Sequence, residues 1–322
     1  MVEKTWSSDR IMAHIASLDL WRGTPRVEVL VGGLTNLNFT VTDDGSTFVA
    51  RVAFDNLVHD IYQSHVATAM VAAANAGISP RLHYMDSAIT VMDYMPGGAL
   101  RAGMFSDQAL LTAGVNLLKQ LHGLGSNLPG PLRYSYPFQK VGRYCAFLKA
   151  EASRIAPEVP EYERLCRSIE AQIPPFIPVI THTDVLPQNF VRDEAGALML
   201  IDWDYSGVGH PIADLASMAV NGDIPRERWD DMLGIYSGRT PDAAERKLFS
   251  LFCVVVSLME YLWAPVQEIA SDLPKETVAA SMSSTYSALT PSYEGYSALN
   301  QSRFRSILAD HTKNFGPIEQ VI

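Results

Sequence analysis

Apolar and polar residues alternate through RVEVLVGGLTNLNFTVTDDGSTFVARVAF, residues 26–54. This period of two, broken at Gly32-Gly33 and at Asp43-Asp44-Gly45, predicts successive antiparallel strands joined by turns. The pattern then changes. SHVATAMVAAANAG (64–77) is Ala-rich and apolar, with Gly77 as a stop and Pro80 just beyond, and predicts a helix. RLHYMDSAITVMDYM (81–95) returns to strand texture before the break at Pro96-Gly97-Gly98. Past that break the period becomes helical: SDQALLTAGVNLLKQLHGL (106–124) offers Ser106 as an N-cap and apolar positions at Leu110, Leu117, Leu118, Leu121 and Leu124. A Pro-rich IPPFIPVI (173–180) leads to two short strand-like pieces, PVITH (178–182) and GALMLIDWD (196–204), and helical patterns occupy much of the remainder. The prediction is an α+β chain with no internal repeat: a small antiparallel-sheet lobe over residues 1–95 and a larger, mainly helical lobe over 96–322.

Composition is compatible with that plan, since 322 residues at 48% hydrophobic can fill a bilobal core. A net charge of -10 argues against nucleic acid or an anionic membrane as partner, because either would reward a basic surface. The acidic balance mildly favours a cationic small molecule, although solubility alone also accounts for it. The longest apolar run, LFSLFCVVVSLM (248–259), is shorter than the roughly 20 residues that cross a bilayer and reads as a buried helix. Charged residues Glu3, Lys4, Asp9, Arg10 and Asp19 stand where an export signal needs an apolar core. Cys145, Cys166 and Cys253 have no CxxC spacing, so neither a disulfide framework nor a zinc site is suggested. A reducing, cytoplasmic setting is the expectation.

Candidate chemistry lies in VITHTDVLPQNFV (179–191), where a strand-like run breaks into His182, Asp184 and Asn189, and in Asp202 at the end of the next apolar strand. A carboxylate, an amide five residues on and a second carboxylate closing a strand are the parts phosphoryl transfer needs. One carboxylate orients the attacking hydroxyl and accepts its proton, and the amide oxygen with the second carboxylate holds Mg2+ on the nucleotide phosphates. Protein kinases arrange H-R-D-L-x-x-x-N and D-F-G in this order. Here the Asp-to-Asn spacing is the same and D-W-D stands for D-F-G. Taken singly, an HxD pair or a strand-closing Asp is commonly a turn former. The rival assignment of His182 and Asp184 to a hydrolytic metal lacks a second ligand pair among the remaining histidines.

The strand-rich lobe offers the complementary half. In GGLTN, Gly32 and Gly33 let backbone amides approach phosphates while Thr35 and Asn36 add donors, although a plain hairpin turn fits too. Arg51 is the one cation of STFVARVAF (46–54), placed to reach the α- and β-phosphates or else to face solvent. The backbone of Asp93 to Met95 would meet the adenine ring of ATP.

These segments together resemble the choline/ethanolamine kinase and aminoglycoside phosphotransferase superfamily, of protein-kinase-like bilobal fold. The resemblance runs in order through GGLTNLNFTV, FVARV, GISPRLHY, HTDVLPQNF, LIDWDYSGVGHPIADLA, LWAPVQ and YSALNQSRF. DWDYSG and LWAPVQ are similar to the choline-kinase branch. The resemblance implies Asp184 as catalytic base, Asn189 and Asp202 as magnesium ligands, Asp214 as a carboxylate bracing the catalytic loop, and His182 as mainly structural. It also implies an aromatic cage for a substrate cation at Tyr205, Trp263 and Tyr296, by attraction of a cation to aromatic faces; core aromatics are the plainer alternative.

Two departures stand out. The helix glutamate that pairs with the phosphate-binding cation falls at Val66, leaving Asp60 or His65 as substitutes or Arg51 unpaired. Glu260 replaces a pocket tryptophan, and Asn221 replaces a pocket acid. A carboxylate there can pair with an ammonium N–H, which a quaternary amine lacks, so a protonated primary or secondary amine, or a substrate larger than choline, is expected. The expectation is therefore an ATP- and Mg2+-dependent kinase of a small amino alcohol. An aminoglycoside or sugar-like alcohol kinase, or a nucleotide-binding pseudoenzyme, are the alternatives.

Overall fold

The computed structural model describes residues 2–30, 36–285 and 291–319. After α1 (Ser8–Ala16) come β1 (Arg26–Leu30), β2 (Leu37–Asp43), β3 (Ser46–Val52), α2 (Gln63–Asn75), β4 (Leu82–Met85) and β5 (Ile89–Asp93). The strands form one antiparallel sheet in the order β1-β2-β3-β5-β4. Asp43 pairs with Ser46 across a two-residue loop in which Asp44 and Gly45 both have positive φ, 46° and 77°. That geometry matches the right-handed twist of the flanking strands, and Asp-Gly is the dipeptide that tolerates it.

Register then decides which face Arg51 occupies. Phe39, Ala50 and Val91 form one cross-strand row, buried with Ile11 and Ile15 of α1. The neighbouring row, Asn38, Arg51 and Thr90, must point to the opposite face because successive strand residues alternate. A slip of one residue would drive the guanidinium into the apolar face, so the pattern fixes the register.

The rest of the chain contains α3 (Gln108–His122), α4 (Pro137–Ala150), α5 (Val159–Glu170), β6 (Val179–Thr181), β7 (Phe190–Arg192), β8 (Leu198–Leu200), β9 (Gly207–Gly209), α6 (Pro211–Asn221), α7 (Trp229–Ser237), α8 (Ala243–Ala270), α9 (Lys275–Thr285) and α10 (Tyr293–Phe315). The N-cap of α3 is Asp107, whose carboxylate accepts the Leu110 N–H at 2.9 Å, rather than Ser106, which closes a preceding 3-10 turn. Carboxylates and hydroxyls cap equally well, so two adjacent candidates are not separable by residue type.

The apolar run 248–259 lies in α8, a 28-residue helix started by a capping box of Asp242 and Glu245. As a whole α8 is long and apolar enough to cross a bilayer, but 94% of that window is buried against α10, α6 and α4. It is the central post of the helical part.

Two small antiparallel ladders carry the loops that matter: β6 with β9, and β7 with β8. They are tied to the sheet region. The Leu200 N–H donates to the Ile78 carbonyl at 2.7 Å, Trp203 Nε1–H donates to Ser79 Oγ at 3.2 Å, and the Leu100 N–H donates to the Phe190 carbonyl at 2.8 Å.

Candidate active site

The strand β6 stops because the chain turns left-handed at Thr183, φ 60°. A non-glycine residue in that region costs on the order of 1 kcal/mol or more and persists only where its surroundings hold it. Asp214, in the first turn of α6 and fully buried, does the holding: Oδ1 accepts the Thr183 N–H and Oδ2 the His182 N–H, both at 2.8 Å. His122 Nε2 also lies 3.1 Å from Oδ2.

His182 is buried, with Nε2–H donating to the Ile201 carbonyl at 2.9 Å and the ring edge-on to Trp203 at 4.8 Å. Burial lowers its pKa, so it stands neutral as a bolt between the end of β6 and the end of β8. Asp184 follows, and Asn189 Nδ2–H donates to both its carbonyl (2.8 Å) and its Oδ2 (3.1 Å). The amide oxygen of Asn189 is thereby left for another partner.

Asp202 also adopts positive φ, 65°, directly after β8. Its Oδ1 is buried and has no hydrogen-bond partner among the described residues. Burial, then the neighbouring charge of Asp204, raises its pKa to about 6. Burial raises the Asp184 carboxyl well above its ordinary value as well, with the charges of Glu260 and Asp202 adding to it. Carboxylates gathered so closely need a counter-cation to remain ionised. Among the described residues no group of three or more His, Cys, Asp or Glu could hold a metal unaided. The Asn189 amide oxygen and the orphaned Asp202 oxygen are a donor set of the size Mg2+ typically takes, one or two protein oxygens with the shell completed by phosphates and water.

Arg51 does not stand unpaired. Its Nη2–H donates to Asp204 Oδ1, and Asn36 Nδ2–H donates to Asp204 Oδ2 at 2.7 Å. Both members of the ion pair are buried. The second carboxylate of D-W-D thus supplies the counter-charge expected from α2. Val66 is in the core, Asp60 pairs with Arg143 at 3.0 Å, and His65 Nδ1 is buried with no hydrogen-bond partner among the described residues.

Gly32, Gly33 and Thr35 lie outside the described residues. Asp93 ends β5 with its carboxylate on His83 at 2.6 Å, and its N–H donates to the Arg81 carbonyl. Tyr94 donates to Thr47, whereas among the described residues no backbone carbonyl accepts from the Met95 N–H.

Tyr205, Trp263, Tyr296 and Glu260 come together although they are distant in sequence. Trp263 Nε1–H donates to the Tyr205 hydroxyl at 3.1 Å, the Trp263 and Tyr296 rings meet edge-on at 5.6 Å, and the Tyr296 hydroxyl lies 3.5 Å from Glu260 Oε2. Burial raises the Glu260 pKa, opposed by the charge of Lys140 and by hydrogen bonds from Asn221 and Tyr296. Asn221 Oδ1 is buried with no partner among the described residues.

The sequence profile of the phosphotransferase enzyme family matches residues 26–249, more than half of the chain. The chain belongs to that family. Protein LicA of Haemophilus influenzae is 24% identical to the phosphotransferase over 255 residues, 74% of this chain and 72% of LicA. Among solved structures, a choline/ethanolamine kinase family protein from Mesorhizobium loti superposes with a TM-score of 0.70 at 21% identity, covering 96% of this chain and 98% of that one. The choline kinase LicA of Streptococcus pneumoniae gives 0.68 at 19% identity, covering 95% and 98%. The phosphotransferase therefore has the kinase-like bilobal fold, and its family is one of small-molecule kinases.

Four residues of the site escape a reading of motifs. Asp204 is the first, a partner 153 residues from Arg51. Arg133 is the second: Nε–H donates to the Ser206 carbonyl and Nη2–H to the Asp204 carbonyl, both at 3.0 Å, and Nη1–H donates to the Asp60 carbonyl. Lys140 on α4 is the third, its ammonium 3.3 Å from the Tyr205 ring centre. His59 is the fourth: the Tyr144 hydroxyl donates to Nδ1 at 2.8 Å, and Nε2–H donates to Gln267 Oε1 at 3.1 Å. For Arg133 and Lys140 the available signal was a basic residue in an otherwise aromatic stretch, PLRYSYPFQK.

Proposed function

We propose that this phosphotransferase moves the γ-phosphoryl group of ATP to the hydroxyl of a small amino alcohol whose ammonium keeps at least one N–H. The observation that carries the reading is the buried oxygen of Asp202 left without a hydrogen-bond partner among the described residues, its charge felt by Asp184, which Asn189 holds. In this reading Asp184 orients the acceptor hydroxyl and takes its proton. In its ionised form, which a bound counter-cation favours, Asp184 is a competent acceptor of that proton.

Asn189 Oδ1 and Asp202 would hold Mg2+, which when bound neutralises charge on the β- and γ-phosphates. Arg51 keeps one nitrogen on Asp204 and has further donors for the α- and β-phosphates. Gly32, Gly33, Thr35 and Asn36 would help to anchor the nucleotide, and the backbone of Asp93 to Met95 would meet the adenine edge. His182 and Asp214 fix the loop geometry on which in-line transfer depends.

The acceptor end is read from Tyr205, Trp263, Tyr296 and Glu260. Glu260 and Asn221 Oδ1 are both hydrogen-bond acceptors, which an ammonium bearing N–H can satisfy and a quaternary ammonium cannot.

A panel of ethanolamine, its N-methylated forms, other amino alcohols, sugars and aminoglycosides, assayed for Mg2+-dependent ADP release, tests this. Primary or secondary amino alcohols should turn over best. Asp184→Asn should cut that turnover at least a hundredfold while leaving ATP affinity within about threefold. Preference for choline over ethanolamine, or for an aminoglycoside, would overturn the acceptor assignment; near-normal turnover of Asp184→Asn would overturn the base.

A further inference from the structure

One charged side chain of the pocket is given no task by the phosphate chemistry above. Lys140 places its ammonium 3.3 Å from the centre of the Tyr205 ring, well inside the distance at which a cation is held by an aromatic face. The ring cannot swing away. Its hydroxyl accepts from Trp263, and its backbone carbonyl accepts from Ser135 Oγ–H at 2.9 Å and from the Thr183 hydroxyl.

The charges of Asp184 and Glu260 also favour the ammonium form, and Asp60 adds to them. An aromatic face with carboxylate charge nearby is the chemistry of a cation-binding site, and here the cation over that face belongs to the chain. Burial and Arg133 lower the Lys140 pKa to about 7. Charged or neutral, the nitrogen still occupies the volume over the ring.

We propose that Lys140 is a specificity-determining residue: it fills the Tyr205 face, so the pocket shuts out quaternary ammonium groups and takes an acceptor ammonium that reaches Glu260 through its N–H. This rests on the amino-alcohol reading of the acceptor. It deepens that reading by naming the device that selects among amino alcohols. A quaternary group needs an aromatic face because it has no N–H to give. A primary ammonium does not, and it can be satisfied by Glu260, Asn221 Oδ1 and the Tyr296 hydroxyl.

The test uses tetramethylammonium as a probe that cannot be phosphorylated. Its binding to the wild type, Lys140→Met and Lys140→Gln is measured by calorimetry at pH 7, with folding checked by thermal melting and ATP binding. Both variants should bind the probe at least tenfold more tightly than the wild type. Their choline-to-ethanolamine ratio of kcat/KM should rise by tenfold or more.

Equal or weaker probe binding in the variants overturns the proposal. If neither variant folds, the wild type decides: tetramethylammonium bound as tightly as ethanolamine overturns it, and binding weaker by tenfold or more supports it. Failure of the acceptor reading looks different. A gain in probe binding without turnover of any amino alcohol leaves the role of Lys140 standing and removes the amino alcohol. Turnover of ethanolamine without a gain in probe binding does the reverse.

Discussion

The Asp204 carboxylate is enclosed almost completely, with 4% of its side chain exposed against 7% for Arg51. At such burial the cost of desolvating each charge is recovered only through a partner of good geometry. Asp204 has two partners, Arg51 and the Asn36 amide. Asp204→Asn keeps the shape and removes the counter-charge, leaving a guanidinium buried without its mate. We expect a loss of about 3 kcal/mol in unfolding free energy by urea titration, at the lower edge for a broken buried pair. Adding Arg51→Met to Asp204→Asn should cost at least about 1 kcal/mol less than Arg51→Met does in the wild type. Strict additivity would mean that the pair contributes nothing as a pair. This residue also marks a limit of the sequence. D-W-D is legible as a motif, and Asp202 and Tyr205 follow from it, but nothing in a string of letters says that Asp204 faces a strand 153 residues earlier. The departure at Val66 made Arg51 look partnerless for that reason.

At the level of elements, the site depends on how closely one backbone segment approaches β9. Val208 N–H donates to the Arg133 carbonyl and Ser135 N–H to the Val208 carbonyl, both at 2.8 Å, which lays residues 133–135 alongside the strand. Gly207 and Gly209 flank that contact. A Cβ on Gly209 would stand 2.2 Å from the Ser135 carbonyl oxygen, and one on Gly207 would stand 2.7 Å from that of Arg133. Both obstacles are backbone, so relief requires the segment to move. The same segment carries Arg133, which grips the Asp204 and Ser206 carbonyls, and Ser135, which holds that of Tyr205. Gly209→Ala should therefore lower stability by about 2 kcal/mol or more and depress turnover at least tenfold in thermal melts and ADP-release assays. A variant that melts like the wild type and turns over normally would mean that the close approach is dispensable. Element identity was largely readable beforehand, since strands at 26–54 and 81–95 and the helix after 106 follow from period and punctuation. What was not readable is contact between a loop and a strand, because two glycines in SGVGH announce a tight place without saying what fills it.

Across the whole molecule, a neutral ring in the turn after β3 helps to fasten that turn to the helical part, beside the bonds of Asp60 to Arg143 and Arg133. His59 lies just after β3, yet it bonds to Tyr144 on α4 and Gln267 on α8, and its ring meets Tyr205 edge-on at 6.1 Å. Gln267 closes LWAPVQ, so a segment legible by resemblance acquires a physical task that resemblance did not assign. Burial lowers the His59 pKa from 6.5 to about 4. The folded protein therefore binds fewer protons at this ring than the unfolded chain does between those two values. Stability from this group is complete above about pH 6.5 and is lost as pH falls toward 4. At pH 5 the loss amounts to on the order of 2 kcal/mol. Other groups move the opposite way, because Asp184, Asp202 and Glu260 have raised pKa values and gain protons in the folded state as pH falls. The total pH dependence of the wild type therefore mixes both signs, and a comparison with His59→Gln isolates the ring. The variant keeps a polar side chain between Tyr144 and Gln267 but has nothing there to titrate. The stability gap between wild type and variant, measured by urea unfolding, should be largest at pH 7 and narrow by on the order of 2 kcal/mol at pH 5. A gap independent of pH would mean that His59 titrates alike in the folded and unfolded states.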